Sequence, residues 1–307
     1  MKLIKKIIFA ITVAHALFAL LSCDKIETTS LAPREQMAVN PVVGLNHVKG
    51  IVSGTTFPTS RSMVVSADLM ANTGGSGNYF SNLTFTCSNG VWSPENIYYW
   101  PLTGGLEMLA YSSGSASVTP EWTNATQVVL TCANCSADDI LMGGLTSATA
   151  SSKTIGFKHC LAQVNATVSA SSASVIKVKS ITLNAKKGAT LTVTKSAGNS
   201  VPAVSTTLSG SATDNSLFSG NQSVTASATA IGSAMLLPEQ TPGSMTITYT
   251  ITNNGTESSA MTVTKTLSQA LAAGSSYTYA IAFTLTGITV TASLTNWTDS
   301  SSTSVSI

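Results

Sequence analysis

Tyr277-Thr278-Tyr279-Ala280-Ile281-Ala282-Phe283-Thr284-Leu285, followed by Gly287 and by Ile288-Thr289-Val290-Thr291-Ala292-Ser293-Leu294, is the stretch that decides the fold. A large apolar side chain falls on every second residue of the first run, with Thr and Ala between. That period of two buries one face of a strand and leaves the other in water. Gly287 separates the first run from a second alternating one, which predicts a hairpin.

Working outward, the same signature recurs along the chain. Strand-like runs are expected at 43–52, 63–67, 83–87, 106–111, 127–131, 154–168, 175–184, 190–194, 223–231, 245–251 and 260–266. Clusters of Gly, Ser, Asn and Pro punctuate them, as at 72–78 and 253–258. A weak helical period is confined to 267–273. Many short strands at such spacing predict an all-β protein of β-sandwiches. A Ser/Ala run at 170–173 places the expected boundary, giving an N-terminal sandwich over 43–171 and a C-terminal one over 172–307.

The N-terminus is built differently. Lys2, Lys5 and Lys6 precede an apolar run of about 15 residues, short of the roughly 20 that span a bilayer. The run ends on Leu20-Leu21-Ser22-Cys23, the pattern of a bacterial lipoprotein signal over 1–22, with Cys23 as the thiolate that accepts a diacylglyceryl group. Residues 23–42 carry scattered charge, Pro33 and Pro41, and read as a tether or pro-segment.

Composition narrows the function. Charged residues are 9% of the chain against a usual value of about 25%. Three of the fifteen Lys and Arg side chains sit in the signal, so the remainder is near neutral. There is little field with which to attract nucleic acid, and no nucleic-acid partner is expected. Apolar residues at 43% exclude a disordered chain.

Chemistry-bearing residues are sparse. His47 and His159 each stand alone, and Asp138-Asp139 and the scattered Glu residues lack the spacing of glycoside hydrolysis or a calcium loop. No catalytic, cofactor or metal site is predicted, and the chain does not read as an enzyme. Cys132-Ala133-Asn134-Cys135 is a CxxC without a second CxxC or paired His. With Cys87 and Cys160 it allows structural disulfides, free thiols, or a metal or redox site. The aromatics Trp92 and Tyr98-Tyr99-Trp100-Pro101 are either core or a glycan platform. Arg34 and Arg61 are the only arginines. Arg61, in Thr59-Ser60-Arg61-Ser62, is either an accessible site for an arginine-specific protease or an ordinary solvated residue.

Four features taken together resemble the fimbrillin-like lipoproteins of Bacteroides and relatives. They are Trp92 with Tyr98-Tyr99-Trp100-Pro101 and the 106–112 run; Asp139-Ile140-Leu141-Met142 with Ile155-Gly156-Phe157-Lys158-His159-Cys160-Leu161; Leu236-Leu237-Pro238-Glu239-Gln240 with 245–249; and 277–285 with Trp297. Cys160 stands where that family usually has Ala, and Glu239 departs from its Leu-Pro-Gln turn. The resemblance implies two tandem transthyretin-like β-sandwiches and a pilin delivered to the cell surface through lipid on Cys23 in the outer membrane. It further implies cleavage at Arg61 or Arg34, and assembly with other fimbrial subunits by strand donation. On that reading 43–52 is the strand lost and 303–307 belongs to a donor. A monomeric surface lipoprotein binding a glycan or another extracellular ligand is the alternative.

Overall fold

Alternation builds nearly all of the described part of this chain, whose strands assemble into four sheets. The computed structural model describes residues 34–43, 57–70, 77–171, 175–196, 199–284, 287–296 and 302–306. Contacts divide the chain into residues 1–35, of which Arg34 and Glu35 are described, and residues 36–307, which hold all the described strands.

The first sheet has seven strands in the order β1 (Asn40–Val43), β9 (Thr154–His159), β8 (Leu141–Ala148), β5 (Leu106–Ser112), β2 (Met63–Leu69), β3 (Gly77–Ser88) and β4 (Val91–Pro94). All its pairings are antiparallel except β1 with β9. A four-stranded sheet runs β13 (Ala203–Ser209), β12 (Gly188–Thr194), β7 (Gln127–Cys132) and β6 (Thr119–Asn124). Strand β5 is buried on both sides: Met108 and Ala110 join one core, Leu109 and Tyr111 the other. The second core takes Val128, Leu130, Leu191 and Val193 from the four-stranded sheet.

The third sheet runs β15 (Thr229–Leu236), β10 (Ala162–Ala170), β19 (Ser275–Thr284), β20 (Gly287–Asn296) and β21 (Ser302–Ser306). Its core partner is β14 (Thr213–Val224), β11 (Val175–Ala185) and β16 (Ser244–Asn253), with β17 (Thr256–Glu257) and β18 (Met261–Thr266) both on β16. Tyr277, Tyr279, Ile281 and Phe283 of β19 meet Ile176, Val178, Ile181 and Leu183 of β11 in one core. The 277–294 hairpin is therefore as its alternation predicts, with Thr284 opposite Gly287.

The expected boundary at 171/172 does not divide the strands. Strand β10, before it, lies in the sheet with β19, while β12 and β13, after it, pair with β7. A boundary drawn from a Ser/Ala run assumes that strands pair with their sequence neighbours, and here β10, β11 and β12 lie in three different sheets. The tether reading of 23–42 is also too long. Met37, Val39, Pro41 and Val43 are buried, alternating with Ala38, Asn40 and Val42. Pro41 is tolerated because β1 is an edge strand of its sheet. Strand β1 thus begins three residues before the expected 43–52 strand, and 44–52 lie outside the described residues. The 267–273 run is not helical: Leu267 and Leu271 are buried in a loop whose Leu271 N–H donates to Gln240 O at 2.9 Å.

Candidate functional site

Residues 36–43 join the two edges of the seven-stranded sheet. On one side, Met37 N–H donates to Tyr98 O at 2.8 Å and Val39 N–H to Trp92 O at 2.9 Å. On the other, Asn40 N–H donates to Lys153 O at 2.9 Å, and 40–43 pair in parallel with 154–157. The segment switches from β4 to β9 within a single residue. Its buried side chains enter the core that all seven strands line, and Phe57 completes the plug. The Phe57 ring lies 4.7 Å from that of Phe157.

Arg61 follows this plug at the entry to β2. Its guanidinium pairs with the Asp138 carboxylate, and Nη1 donates to Asp139 O at 2.8 Å. Only 11% of the side chain is exposed. Asp138 is held from behind by Ser115 N–H (2.8 Å), Ser115 Oγ (3.1 Å) and its neighbour's Asp139 N–H (2.7 Å). Partial burial pushes the Asp138 carboxyl up, but the two backbone N–H groups, then Arg61, then the Ser115 hydroxyl together hold it below its usual range. Asp139 turns the other way, and its Oδ2 meets His159 Nδ1 at 2.6 Å with both side chains fully buried. Arg34, the other arginine, is exposed. Cys23, His47 and Trp297 lie outside the described residues.

The aromatic cluster resolves as core. Trp92 and Trp100 are buried beside Phe80 and Phe85, and Tyr99 is exposed with its carbonyl accepting from Tyr79 Oη at 2.6 Å. A single exposed ring with its neighbours turned inward does not make a glycan platform. Cys132 and Cys135 form a disulfide at the end of β7, leading into a 3-10 turn over Cys135–Ala137. Cys87 and Cys160 are free thiols, and burial, then the charge of Asp139, pushes the Cys160 thiol up. Among the described residues no three His, Cys, Asp or Glu side chains converge on a metal site, and no helix is long and apolar enough to cross a membrane.

One cluster has no signal in the sequence. Lys195, just past β12, is completely buried; it pairs with Glu107 of β5 and donates to Thr146 Oγ1 of β8 at 2.9 Å. Burial pushes its ammonium down to about 8, which still leaves it charged at neutral pH beside the carboxylate. Gly144 makes room for it, since a Cβ there would stand 2.6 Å from Lys195 Cδ. The pair ties the four-stranded sheet to the seven-stranded one.

Comparison with known proteins places this geometry. The family model described as fimbrillin-like matches residues 54–297. The chain belongs to the fimbrillin-like family. No curated protein matches it. Among solved structures, a fimbrial protein from Bacteroides vulgatus is 18% identical with a TM-score of 0.58, covering 86% of this chain and 100% of that one. A candidate cell adhesion protein from Bacteroides uniformis is 16% identical with a TM-score of 0.53, covering 86% and 99%. One from Bacteroides ovatus is also 16% identical, with a TM-score of 0.50 over 87% and 99%. At such identities the likeness is one of fold.

Proposed function

We propose that this chain is a structural subunit of a surface fimbrium, exported as a lipoprotein precursor through Cys23 and assembled by strand donation after N-terminal proteolysis. The observation that carries this reading is the plug. Met37, Val39, Val43 and Phe57 belong to the seven-strand core, yet all lie upstream of Arg61. Each buried side chain of this kind is worth about 1.5–3 kcal/mol, against a total stability of about 5–15 kcal/mol for an ordinary domain. A body stripped of four of them, with the open edges of β4 and β9 exposed, is tolerable only if another strand takes the seat. Backbone pairing and alternate apolar side chains on the incoming strand meet both needs. Fimbrillin-like family membership and the fimbrial neighbour from Bacteroides vulgatus support the same reading.

Strand β21 is the proposed donor element, because it is an edge strand held to its sheet by β20 alone. The partners are other fimbrial subunits, the chain's own copies or related pilins, at the cell surface. The test is the N-terminus of subunits recovered from sheared surface filaments. A start at Ser62 is expected for subunits in the filament, and a start at Glu35 for chains released from the lipid with the plug still seated; a chain found only with lipidated Cys23, and in no filament, would sink the proposal.

A further inference from the structure

An endoprotease that cuts after arginine must draw the guanidinium into its own acidic pocket and hold the flanking backbone extended. Arg61 offers neither. Its guanidinium already occupies an acidic socket made by Asp138 and the Asp139 carbonyl, and its N–H is turned back onto Pro58 O at 3.1 Å. The socket is built to fit. Gly114 borders it so closely that a Cβ would lie 2.3 Å from both Arg61 Nη2 and Asp138 Oδ2. Ser115 orients the carboxylate, and the buried His159–Asp139 pair fixes the backbone that supplies the carbonyl. Every residue of the socket lies downstream of Arg61, so the socket belongs to the part of the chain that cleavage would retain. Arg34, by contrast, is exposed.

We propose that the Asp138 socket is a latch that withholds the Arg61–Ser62 bond from proteolysis while the subunit is closed, so that the two arginines are cut in a fixed order. This rests on the reading of Arg61 as a processing site. Cutting after Arg34 detaches the lipidated N-terminus and leaves the plug seated. Cutting after Arg61 frees the plug, and requires the guanidinium to leave Asp138 first. Release from the membrane and opening of the groove become separate events, with the second governed by whatever opens the latch. Proteolysis of a closed site proceeds through its transiently open form, so the strength of the socket sets the rate.

The experiment is limited digestion of the full-length protein with an arginine-specific endoprotease. The chain has two arginines, so each product's N-terminus, Glu35 or Ser62, identifies its cut. The wild type should yield the Glu35 product first and the Ser62 product after a marked delay. Asp138→Asn should speed the Ser62 cut by at least about tenfold, as expected when a charge-assisted bond holding the closed form is lost, and leave the Arg34 rate unchanged. Lysine-specific digestion in parallel reports loosening elsewhere through Lys177 and Lys179 of β11. Equal cutting at both arginines in the wild type would overturn the latch. So would an Asp138→Asn variant with an unchanged Ser62 rate, or one in which lysine cuts accelerate as much as the Ser62 cut. Filaments whose subunits begin at Ser62, combined with such a result, would remove the latch and leave the pilin reading standing. A working latch in a chain that enters no filament would do the reverse.

Discussion

The Phe57 ring stands edge-on to Trp92, with centroids 5.0 Å apart and planes at 90°. Phe57 belongs to the N-terminal plug and Trp92 to β4, so this contact crosses the seam that the proposed cleavage would open. Replacing Phe57 by Ala should cost about 3–5 kcal/mol, the usual range for emptying a buried aromatic site. Denaturant unfolding followed by tryptophan fluorescence would measure it. A loss below about 1 kcal/mol would mean that the plug contributes little to the core.

The buried Lys195–Glu107 pair makes an asymmetric prediction. Lys195→Met alone leaves the largely buried Glu107 carboxylate without its counter-charge, beside the Thr146 hydroxyl at 3.3 Å, and should destabilise by about 3–5 kcal/mol. Adding Glu107→Leu should restore most of the loss, because two matched apolar groups replace two matched charges. A double-mutant cycle in denaturant gives the coupling; additive losses would show that the two side chains do not act as a pair.

On the short strand β17, paired to the end of β16, Glu257 gives a pH signature. Hydrogen bonds from Lys179, Thr250 and Lys177, in falling order, hold its carboxyl down from 4.5 to about 2. A depressed carboxyl adds stability above its unfolded value and loses it as pH falls through its folded one. Its contribution should therefore be whole above pH 4.5 and fade toward pH 2. Carboxyl NMR titration should find the Glu257 midpoint near 2, moving up in Lys179→Met; an ordinary midpoint in the wild type would contradict the cluster.

Tyr279 offers the opposite case. Its hydroxyl is buried without a hydrogen-bond partner, and burial, then Tyr277, pushes it up to about 12. Tyr279→Phe removes an unsatisfied donor from the core and should leave stability equal or raise it by about 1 kcal/mol. A clear loss in thermal unfolding would reveal a partner for the hydroxyl.

The all-β class and the β19–β20 hairpin were legible because alternation is local: Tyr277, Tyr279, Ile281 and Phe283 state their own face. Strand β1 has the same alternation, but Pro41 and the flanking charges of 23–42 disguise it as a tether. Which strands neighbour one another was not legible. Nothing in the composition of 188–209 distinguishes a partner of β7 from a partner of β11, and only the closed structure sends it to the first. The same limit hid the socket. Arg61 and Asp138 are 77 residues apart, and an arginine in a Pro/Ser/Thr loop carries no mark of the carboxylate that will cover it.

The way residues 36–43 sit between β4 and β9 also has a mechanical side. Its backbone hydrogen bonds cross the strand axis, toward β4 over 36–39 and, slanted as in any parallel pair, toward β9 over 40–43. A pull along that axis loads them together, as shear, whereas a pull at right angles would peel them one at a time. An incoming strand in the same seat would meet tension in the strong direction, so a filament joined there would bear hydrodynamic drag without lengthening at its joints.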